Sequence, residues 1–379
     1  MAGIYLHIPF CKQACSYCDF YFSTQKKLIE PFTDALIDEI DSYRDSNFSE
    51  NPIRTLYIGG GTPSLLKEQH LNRIFDALSA AFEMDLQEVT IELNPDDVTE
   101  EYLKMLIDLG VDRVSMGIQS FHPDLLTFMH RAHSRDEAIH ALEAIHKTKF
   151  PTFTADLIYG NPGQTPEMLQ NDLSQLLAFD PPHISAYSLT IEPQTRLGKQ
   201  VSLGRIVPPD EEIVAEHFEI VESVLSGAGL NRYEVSNFAK SGKEALHNSH
   251  YWNHHNYLGM GPSAHSFWWD KTGARRWKNR SDLKDYLTSD PSHNREEEEN
   301  LDQHTLAEER LFMGLRTKWG VSVEELAERY HYRFSIKQFE WIKNQAAGDF
   351  VSFEHQLLKM SGTGLKISDT LIVDLINRN

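Results

Sequence analysis

The chain has 379 residues, of which 40% are hydrophobic and 24% charged, and its net charge is −20. This composition is ordinary for a folded protein, and the length allows two or three domains, or one large α/β domain and a small one. The strong negative charge argues against a protein that binds nucleic acid. No run approaches ~18 uncharged apolar residues, and residues 1–10 lack the pattern of a secretory signal, so we expect a cytoplasmic protein without a membrane span.

Short β-rich runs alternate with amphipathic helical stretches through the first part of the chain. The runs are apolar and β-branched and most end in Gly, Pro, Asn or Ser. The predicted strands are 4–10, 55–61, 89–95, 113–120, 154–160 and 183–190, and the predicted helices are 28–44, 65–83, 99–109, 134–148, 166–179 and 210–227. This alternation predicts an α/β fold in residues 1–230, a parallel sheet that the right-handed crossover rule curls into a partial (β/α)6 TIM-like barrel.

The remainder of the chain has a different character. Residues 231–291 are rich in His, Asn, Trp and Tyr, and we expect them to pack on the barrel. The polar, acidic residues 292–300 (SHNREEEEN) are predicted to form a solvated linker. Residues 301–379 are predicted to form a small, mainly helical, winged-helix-like domain. Its helices are predicted at 306–316 and 321–330, and its last segment, 364–376, has the composition of a strand.

The three cysteines of the chain, Cys11, Cys15 and Cys18, lie in one loop after the first predicted strand. Three thiols cannot all pair with one another, and clustered thiols indicate metal binding or redox chemistry. Three thiolates can hold three irons of a [4Fe–4S] cluster and leave the fourth iron open. A structural zinc ion usually has four ligands and Cys-x2-Cys pairs, which this spacing does not supply. The remaining alternative is three small buried hydrophobic side chains.

Polar residues follow the predicted strands at the ends where parallel barrels place their active sites. They are Gly59 to Pro63 after the second strand, Glu92 and Asn94 after the third, Gln119 and then Arg131 after the fourth, and Asp156 in the fifth. Convergent polar groups at one rim of a concave site predict ligand binding. Each residue alone could instead cap a helix or belong to a buried ion pair.

The pattern Cx3CxYC after a strand resembles that of the radical S-adenosylmethionine (SAM) superfamily. The longer string YLHIPFCKQACSYCDF (5–20) is similar to one branch, the oxygen-independent coproporphyrinogen III oxidase family, and within it most similar to the HemW-type heme chaperones. The resemblance runs through the whole chain, including its HemN-like tail. It implies that Cys11, Cys15 and Cys18 hold a [4Fe–4S] cluster whose open iron is chelated by SAM. An electron from the cluster, supplied by a donor, would then release a 5′-deoxyadenosyl radical.

The resemblance also implies which residues contact SAM. Glu92 would bind the amino end, Gln119 and Asp156 the ribose hydroxyls, and Arg131 the carboxylate. Tyr17 would pack on the adenine. The other implied SAM contacts are Tyr5, Gly59, Gly60, Gly61 and Thr62.

The histidine-rich segment is the candidate heme site. Its five histidines are His247, His250, His254, His255 and His265. Imidazole can ligate iron, and the rings of Tyr251, Trp252 and Tyr257 could stack on a macrocycle. HNSHYW (247–252) matches the HNxxYW pattern of HemW-type proteins, which implies a heme site of His247 (axial ligand), Asn248, Tyr251 and Trp252. Alternatively, these side chains are core residues and loop caps. The basic run 274–280 would bind the propionates of heme or a porphyrin, or it would form a solvated face.

Two functions of different classes follow. The first is a chaperone that binds heme and a SAM-ligated cluster and transfers heme to an acceptor protein, which could be membrane-associated. The alternative is an enzyme that decarboxylates coproporphyrinogen III, and a third is a radical SAM enzyme with another substrate. The chaperone is favoured because no cysteine follows Cys18, because the loop starts near Met1, and because HNxxYW is intact. Catalytic residues stay unassigned, whether the protein is an enzyme is left open, and a monomer or homodimer is expected.

Overall fold

The computed structural model describes residues 2–270 and 273–379. Its largest element is a mixed sheet of strands β1 (Ala2–Ile8), β2 (Ile53–Gly60), β3 (Met84–Leu93), β4 (Arg113–Gln119), β5 (Thr152–Tyr159), β6 (His183–Ser188), β7 (Asn231–Arg232), β8 (Asn237–Ala239), β9 (Asn256–Met260), β10 (His265–Asp270), β11 (Gly273–Asn279) and β12 (Arg295–Leu301). These strands follow the order β12-β11-β10-β9-β1-β2-β3-β4-β5-β6-β8-β7.

Strands β1 to β6 run parallel to one another, which confirms the predicted partial barrel. The helices around it are α1 (Ile29–Ser42), α2 (Glu68–Ala81), α3 (Glu100–Asp108), α4 (Pro123–Phe128), α5 (Arg135–Thr148), α6 (Pro166–Leu177), α7 (Arg196–Ser202) and α8 (Glu211–Gly227). All six predicted strands and all six predicted helices of this part are confirmed, whereas α4 and α7 were not predicted. In α2 the side chains of Leu71, Ile74 and Leu78 form the buried face that their spacing predicted.

The histidine-rich segment extends the same sheet. After α9 (Leu246–Trp252), strand β9 pairs in parallel with β1, and β10, β11 and β12 add antiparallel strands, with α10 (Leu283–Thr288) between the last two. The prediction of a linker at 292–300 is therefore wrong. The acidic side chains of β12 form ion pairs across the strands with Arg275, Arg276 and Lys278 of β11. Opposite charges on neighbouring strands stabilise such pairing, and this also explains the basic run of the sequence.

The C-terminal part has its own hydrophobic core, which includes Leu311, Trp341 and Ile372. Its helices are α11 (Gln303–Gly314), α12 (Val323–Arg329), α13 (Ile336–Ala347), α14 (Gly362–Lys366) and α15 (Ser368–Ile376), and its small sheet consists of β13 (Val321–Ser322), β14 (Val351–Glu354) and β15 (Leu357–Met360). The predicted strand character of 364–376 is wrong, because this segment forms helices that bury one face. Among the described residues, no helix is long and apolar enough to cross a bilayer.

The carboxylate of Glu39 in α1 joins the barrel to the strands that follow β9. It is buried and accepts hydrogen bonds from the backbone N–H of Gly261 at 2.8 Å, from Asn279 Nδ2 at 2.6 Å and from the Tyr286 hydroxyl at 2.6 Å. Burial raises the pKa of Glu39, and the three donors act against that rise because they favour the charged form. The carboxylate therefore fixes the positions of Gly261, Asn279 and Tyr286 against α1.

We predict that Glu39→Ala lowers the free energy of unfolding by about 3 kcal/mol, because three buried donors lose their acceptor. Urea denaturation followed by circular dichroism would measure the change. Asp38→Ala is the matched control, since Asp38 is the preceding residue of the same helix and is exposed, and it should change stability by less than about 0.5 kcal/mol. Equal losses in the two variants would contradict the role given to Glu39.

Candidate functional site

A cavity of about 490 Å³ runs through the barrel from the carboxyl ends of the strands toward their amino ends. The cysteine loop forms its upper wall, and Arg113, His183 and Asn248 lie at its lower end. The residues that line it and were predicted from the sequence are Cys11, Cys15, Tyr17, Cys18, Gly60, Gly61, Thr62, Pro63, Glu92, Asn94, Gln119, Arg131, Asp156 and Asn248. The fold thus brings nearly all of the predicted thiol and polar residues of the barrel to one space.

The cysteine loop is held in place by the segment that follows α4. The backbone N–H of Ser16 donates to the carbonyl of Met129 at 3.0 Å, and Gln13 Nε2 donates to the carbonyl of His130 at 2.9 Å. Burial raises the pKa of Cys11 to about 11 and that of Cys18 to about 12. Both thiols are therefore protonated at neutral pH unless a metal stabilises the thiolate.

The arrangement of the thiols distinguishes between two kinds of metal site. In residues 2–270 and 273–379, no three Cys, His, Asp or Glu side chains converge as ligands of a single ion. A zinc ion takes convergent ligands, whereas a [4Fe–4S] cluster takes one thiolate on each of several irons. The three thiols that line the cavity are one ligand short of a closed zinc site, and they match the three protein thiolates of a cluster with one open iron.

Arg131 connects the cysteine loop to the strand ends. Its guanidinium donates to Asn94 Oδ1 at 2.8 Å, to the carbonyl of Gly117 at 3.1 Å and to Cys15 Sγ at 3.4 Å, and its Nη1 lies 3.5 Å from the Tyr17 hydroxyl. Its Nε atom is buried and makes no hydrogen bond to the described residues. A buried cationic donor without an acceptor is costly, so this nitrogen is suited to an anionic group of a ligand.

Glu92 is held by a tyrosine that sequence reasoning missed. The Tyr57 hydroxyl donates to Glu92 Oε1 at 2.8 Å, and the backbone N–H of Gly60 donates to Oε2 at 2.9 Å. Burial raises the pKa of Glu92. A Cβ atom at Gly60 would lie 2.6 Å from His7, and the residue has φ of 108°, so only glycine fits there. This close packing against the protein's own residues explains the glycine.

Asp156 and Gln119 complete the upper part of the cavity. Asp156 accepts a hydrogen bond from the Ser115 hydroxyl at 3.1 Å, and it is paired in register with Ser185. Burial raises the pKa of Asp156 to about 7, although the hydroxyl groups of Ser185 and Ser115 act in the opposite direction. Gln119 has φ of 64°, and its buried Oε1 has no partner among the described residues. Strain and an unpaired acceptor at one residue are typical of a ligand-binding position.

Two predicted SAM residues lie behind the cavity wall. The Tyr5 hydroxyl is 3.1 Å from His7 Nδ1, and a Cβ atom at Gly59 would lie 2.9 Å from the Glu92 carboxyl carbon. Neither residue lines the cavity in this structure, and direct contact of Tyr5 and Gly59 with SAM stays a prediction. They support the Glu92 side of the wall.

His247 is buried and hydrogen-bonded through both ring nitrogens in this structure. Its side chain is 1% exposed, Nδ1 lies 2.8 Å from the Thr55 hydroxyl, and Nε2 lies 2.7 Å from the Tyr251 hydroxyl. Burial lowers the pKa of His247 to about 3. Both ring nitrogens are engaged, so His247 offers no free ligand to iron in this arrangement. Of the four predicted heme residues, Asn248 lines the cavity, whereas His247, Tyr251 and Trp252 do not.

A second histidine of the histidine-rich segment is also buried and packs against other side chains. His254 is 2% exposed, stacks on Phe267 at a ring distance of 4.8 Å, and lies 3.4 Å from Glu309 Oε2. It joins the sheet to the C-terminal part. His265 is exposed. In this structure His247 and His254 therefore occupy core positions, and the assignment of heme residues stays a prediction.

Sequence reasoning missed several polar residues that line the cavity, and they follow a simple pattern. Every second residue of a strand points to the same side of a sheet, so inward positions recur at i, i+2 and i+4. The inward positions are Arg113, Ser115 and Gly117 in β4, Thr154, Asp156 and Ile158 in β5, and His183, Ser185 and Tyr187 in β6. Of these, Asp156 was predicted from the sequence, and Gly117 and Ile158 are not polar. Polar residues at every second position of otherwise apolar strands were the available signal.

Comparison with known proteins matches two family models to the chain. The radical SAM superfamily model covers residues 5–176, and the HemN C-terminal domain model covers residues 301–370. The solved structure of coproporphyrinogen III oxidase (HemN) from Escherichia coli covers 99% of this chain and 89% of that chain with a TM-score of 0.84. At 21% identity this similarity shows the fold alone.

Relatives with higher identity match over nearly the full length. The heme chaperone HemW of Lactococcus lactis is 34% identical over 369 residues, which are 97% of this chain and 95% of that protein. The heme chaperone HemW of Bacillus subtilis is 36% identical over 336 residues, or 87% of each chain. The chain therefore belongs to the HemW family of the radical SAM superfamily.

Proposed function

We propose that this protein is a heme chaperone, which binds heme and a SAM-ligated [4Fe–4S] cluster and transfers the heme to an acceptor protein. The observation that carries this proposal is similarity over nearly the full length to two relatives that bear this name, at 34% and 36% identity. Thiolate ligands need a reducing compartment, so we place the protein in the cytoplasm.

We infer that Cys11, Cys15 and Cys18 hold the cluster and that SAM occupies the upper cavity. The fit rests on the thiols of one wall and on two buried atoms that have no hydrogen-bond partner in the described part of the chain, Gln119 Oε1 and Arg131 Nε. SAM would supply an amino acid moiety that chelates iron and a sulfonium group that the reduced cluster can cleave.

Each polar residue of the upper cavity has a defined role in this proposal. Arg131 would pair with the SAM carboxylate, Glu92 would accept from the amino group, and Gln119 and Asp156 would accept from the ribose hydroxyls. Tyr17 would pack on the adenine, and the backbone of Gly60, Gly61 and Thr62 would form the wall beside it.

The second candidate function is coproporphyrinogen III oxidase activity, because the HemN fold covers almost the whole chain. The chain departs from the oxidase pattern directly after the third thiol, where Asp19 and Phe20 stand and no further cysteine follows. A thiol is a soft ligand and a reductant, and an aspartate or phenylalanine replaces neither property. We therefore favour the chaperone.

We predict that SAM affinity rises about tenfold between pH 6 and pH 8. The pKa of Asp156 is raised to about 7 by burial, so its carboxylate, the form that accepts hydrogen bonds from ribose, is lost as pH falls through that value. Anaerobic calorimetric titration of the reconstituted protein would measure it. Asp156→Asn is the control, because ionisation of SAM itself contributes equally to both proteins. An identical pH dependence in the variant would exclude the role given to Asp156.

We predict that the reconstituted protein binds hemin at one equivalent per chain and does not decarboxylate coproporphyrinogen III in the presence of SAM and a reductant. The Soret band would report binding, and chromatography of the porphyrins would report turnover, with an authentic oxidase as positive control. Absence of hemin binding would refute the chaperone proposal. Turnover would make the oxidase the better description.

We predict that His247→Gln binds hemin within about threefold of the wild-type affinity, because both nitrogens of the buried imidazole are already engaged and glutamine can keep one of its hydrogen bonds. The melting temperature of the variant would be recorded beside the Soret titration, so that unfolding and loss of binding are separated. A variant that folds normally and has lost hemin would instead make His247 a heme residue.

A further inference from the structure

We propose that heme is held over the mouth of the cavity by Phe20 and a cationic lip, which we define as residues 196–207. In this arrangement the macrocycle edge packs on Phe20 and the apolar side chains of the lip, and its two propionates pair with Arg196, Lys199 and Arg205. The inference rests on the proposed function and assigns the surface through which heme is held.

The lip begins with α7 and is attached directly to the cysteine loop. The backbone N–H of Leu197 donates to the carbonyl of Ser16 at 2.7 Å, and Gln194 Nε2, just before the lip, donates to Asp19 Oδ1 at 2.6 Å. A Cβ atom at Gly198 would lie 2.1 Å from the carbonyl oxygen of Glu192, so the chain is tightly folded here. The lip therefore lies beside the loop that carries Cys15 and Cys18.

Large apolar side chains on the lip and the loop face solvent. Phe20 lines the cavity mouth and is 68% exposed, while Leu203 is 63% exposed and Val207 is 80% exposed. Exposed apolar surface of this kind beside a cavity marks a binding surface. A flat apolar macrocycle fits it, because aromatic rings pack well on the face or edge of another ring.

The charge of the lip is opposite to that of the protein. The chain carries −20, yet Arg196, Lys199 and Arg205 are all exposed, and within residues 2–270 and 273–379 none of them forms an ion pair. Arg196 Nη1 lies 3.3 Å from His130 Nδ1, which orients it without neutralising it. The basic residues of β11 differ, because each is paired with an acid of β12.

Two acids stand near the lip. Asp19 accepts a hydrogen bond from the neutral amide of Gln194 and keeps its negative charge, and Glu192 lines the cavity wall in front of α7. Three cations that form no ion pair with the described residues, in a segment with exposed apolar side chains, match a ligand that is apolar and carries two carboxylates. The polar cavity below leaves room for SAM under the same mouth.

The test compares hemin with hemin dimethyl ester, whose carboxylates are masked, by Soret titration of the reconstituted protein. The lip variant carries Arg196→Ser, Lys199→Ser and Arg205→Ser. We expect its affinity for hemin to fall about tenfold while its affinity for the ester is unchanged, because two exposed charge pairs contribute about that factor together. Phe20→Ser should weaken both ligands to a similar extent.

A second triple variant controls for net charge. Arg333→Ser, Lys337→Ser and Lys343→Ser remove three exposed cations from the C-terminal part, and hemin affinity should stay at the wild-type value. Equal affinities of the lip and control variants for hemin would overturn the inference, and so would a lip variant that loses hemin and ester alike. In either case wild-type binding of hemin would leave the proposed function standing, whereas a wild type that binds no hemin would refute both.

Discussion

The buried ion pair of Glu88 and Arg113 closes the amino end of the barrel, and the shape of the cavity depends on it. Arg113 Nε lies 3.0 Å from Glu88 Oε2, and each side chain is 6% exposed. Glu88 also accepts the backbone N–H groups of Leu246 and His247 at 2.9 Å each, and Arg113 donates to the carbonyl of Lys243 at 2.9 Å. A buried charge pair is tolerated only when its remaining donors and acceptors are satisfied, so α9 must stay in place as the floor.

A fixed floor gives the histidine-rich segment a structural role that its composition does not reveal. The sequence predicted the strands and helices of the barrel well, because a parallel sheet with helices outside has regular periodicities. It could not predict that Glu88 caps a helix 158 residues away, since no local pattern records that contact. The same limit applies to residues 292–300, because the sequence does not show that their acids pair with the basic residues of β11. It applies also to residues 364–376, whose β-branched residues are typical of a strand but form helices that pack in the C-terminal core.

The residues of the upper cavity were easier to predict from the sequence than those of the floor, and the reason is geometric. Residues at the carboxyl ends of parallel strands converge whatever their identity, so Glu92, Gln119 and Asp156 could be placed together from strand order alone. Which neighbours orient them depends on register: Ser115 of β4 donates to Asp156, and Ser185 of β6 is opposite Asp156. Register is a property of paired strands, so the roles of Tyr57 and of the two serines could not be predicted before the sheet was known.

The cysteine loop is the element that connects the two ends of the proposed chemistry. Ser16 donates its backbone N–H to Met129, next to the segment that carries Arg131, and accepts at its carbonyl from Leu197 of the lip. The cysteine loop would therefore lie between the cluster and SAM on one side and heme on the other side, and all three would be held by the same stretch of backbone. Coupling between binding sites is reciprocal, so any factor by which SAM changes heme affinity must equal the factor by which heme changes SAM affinity.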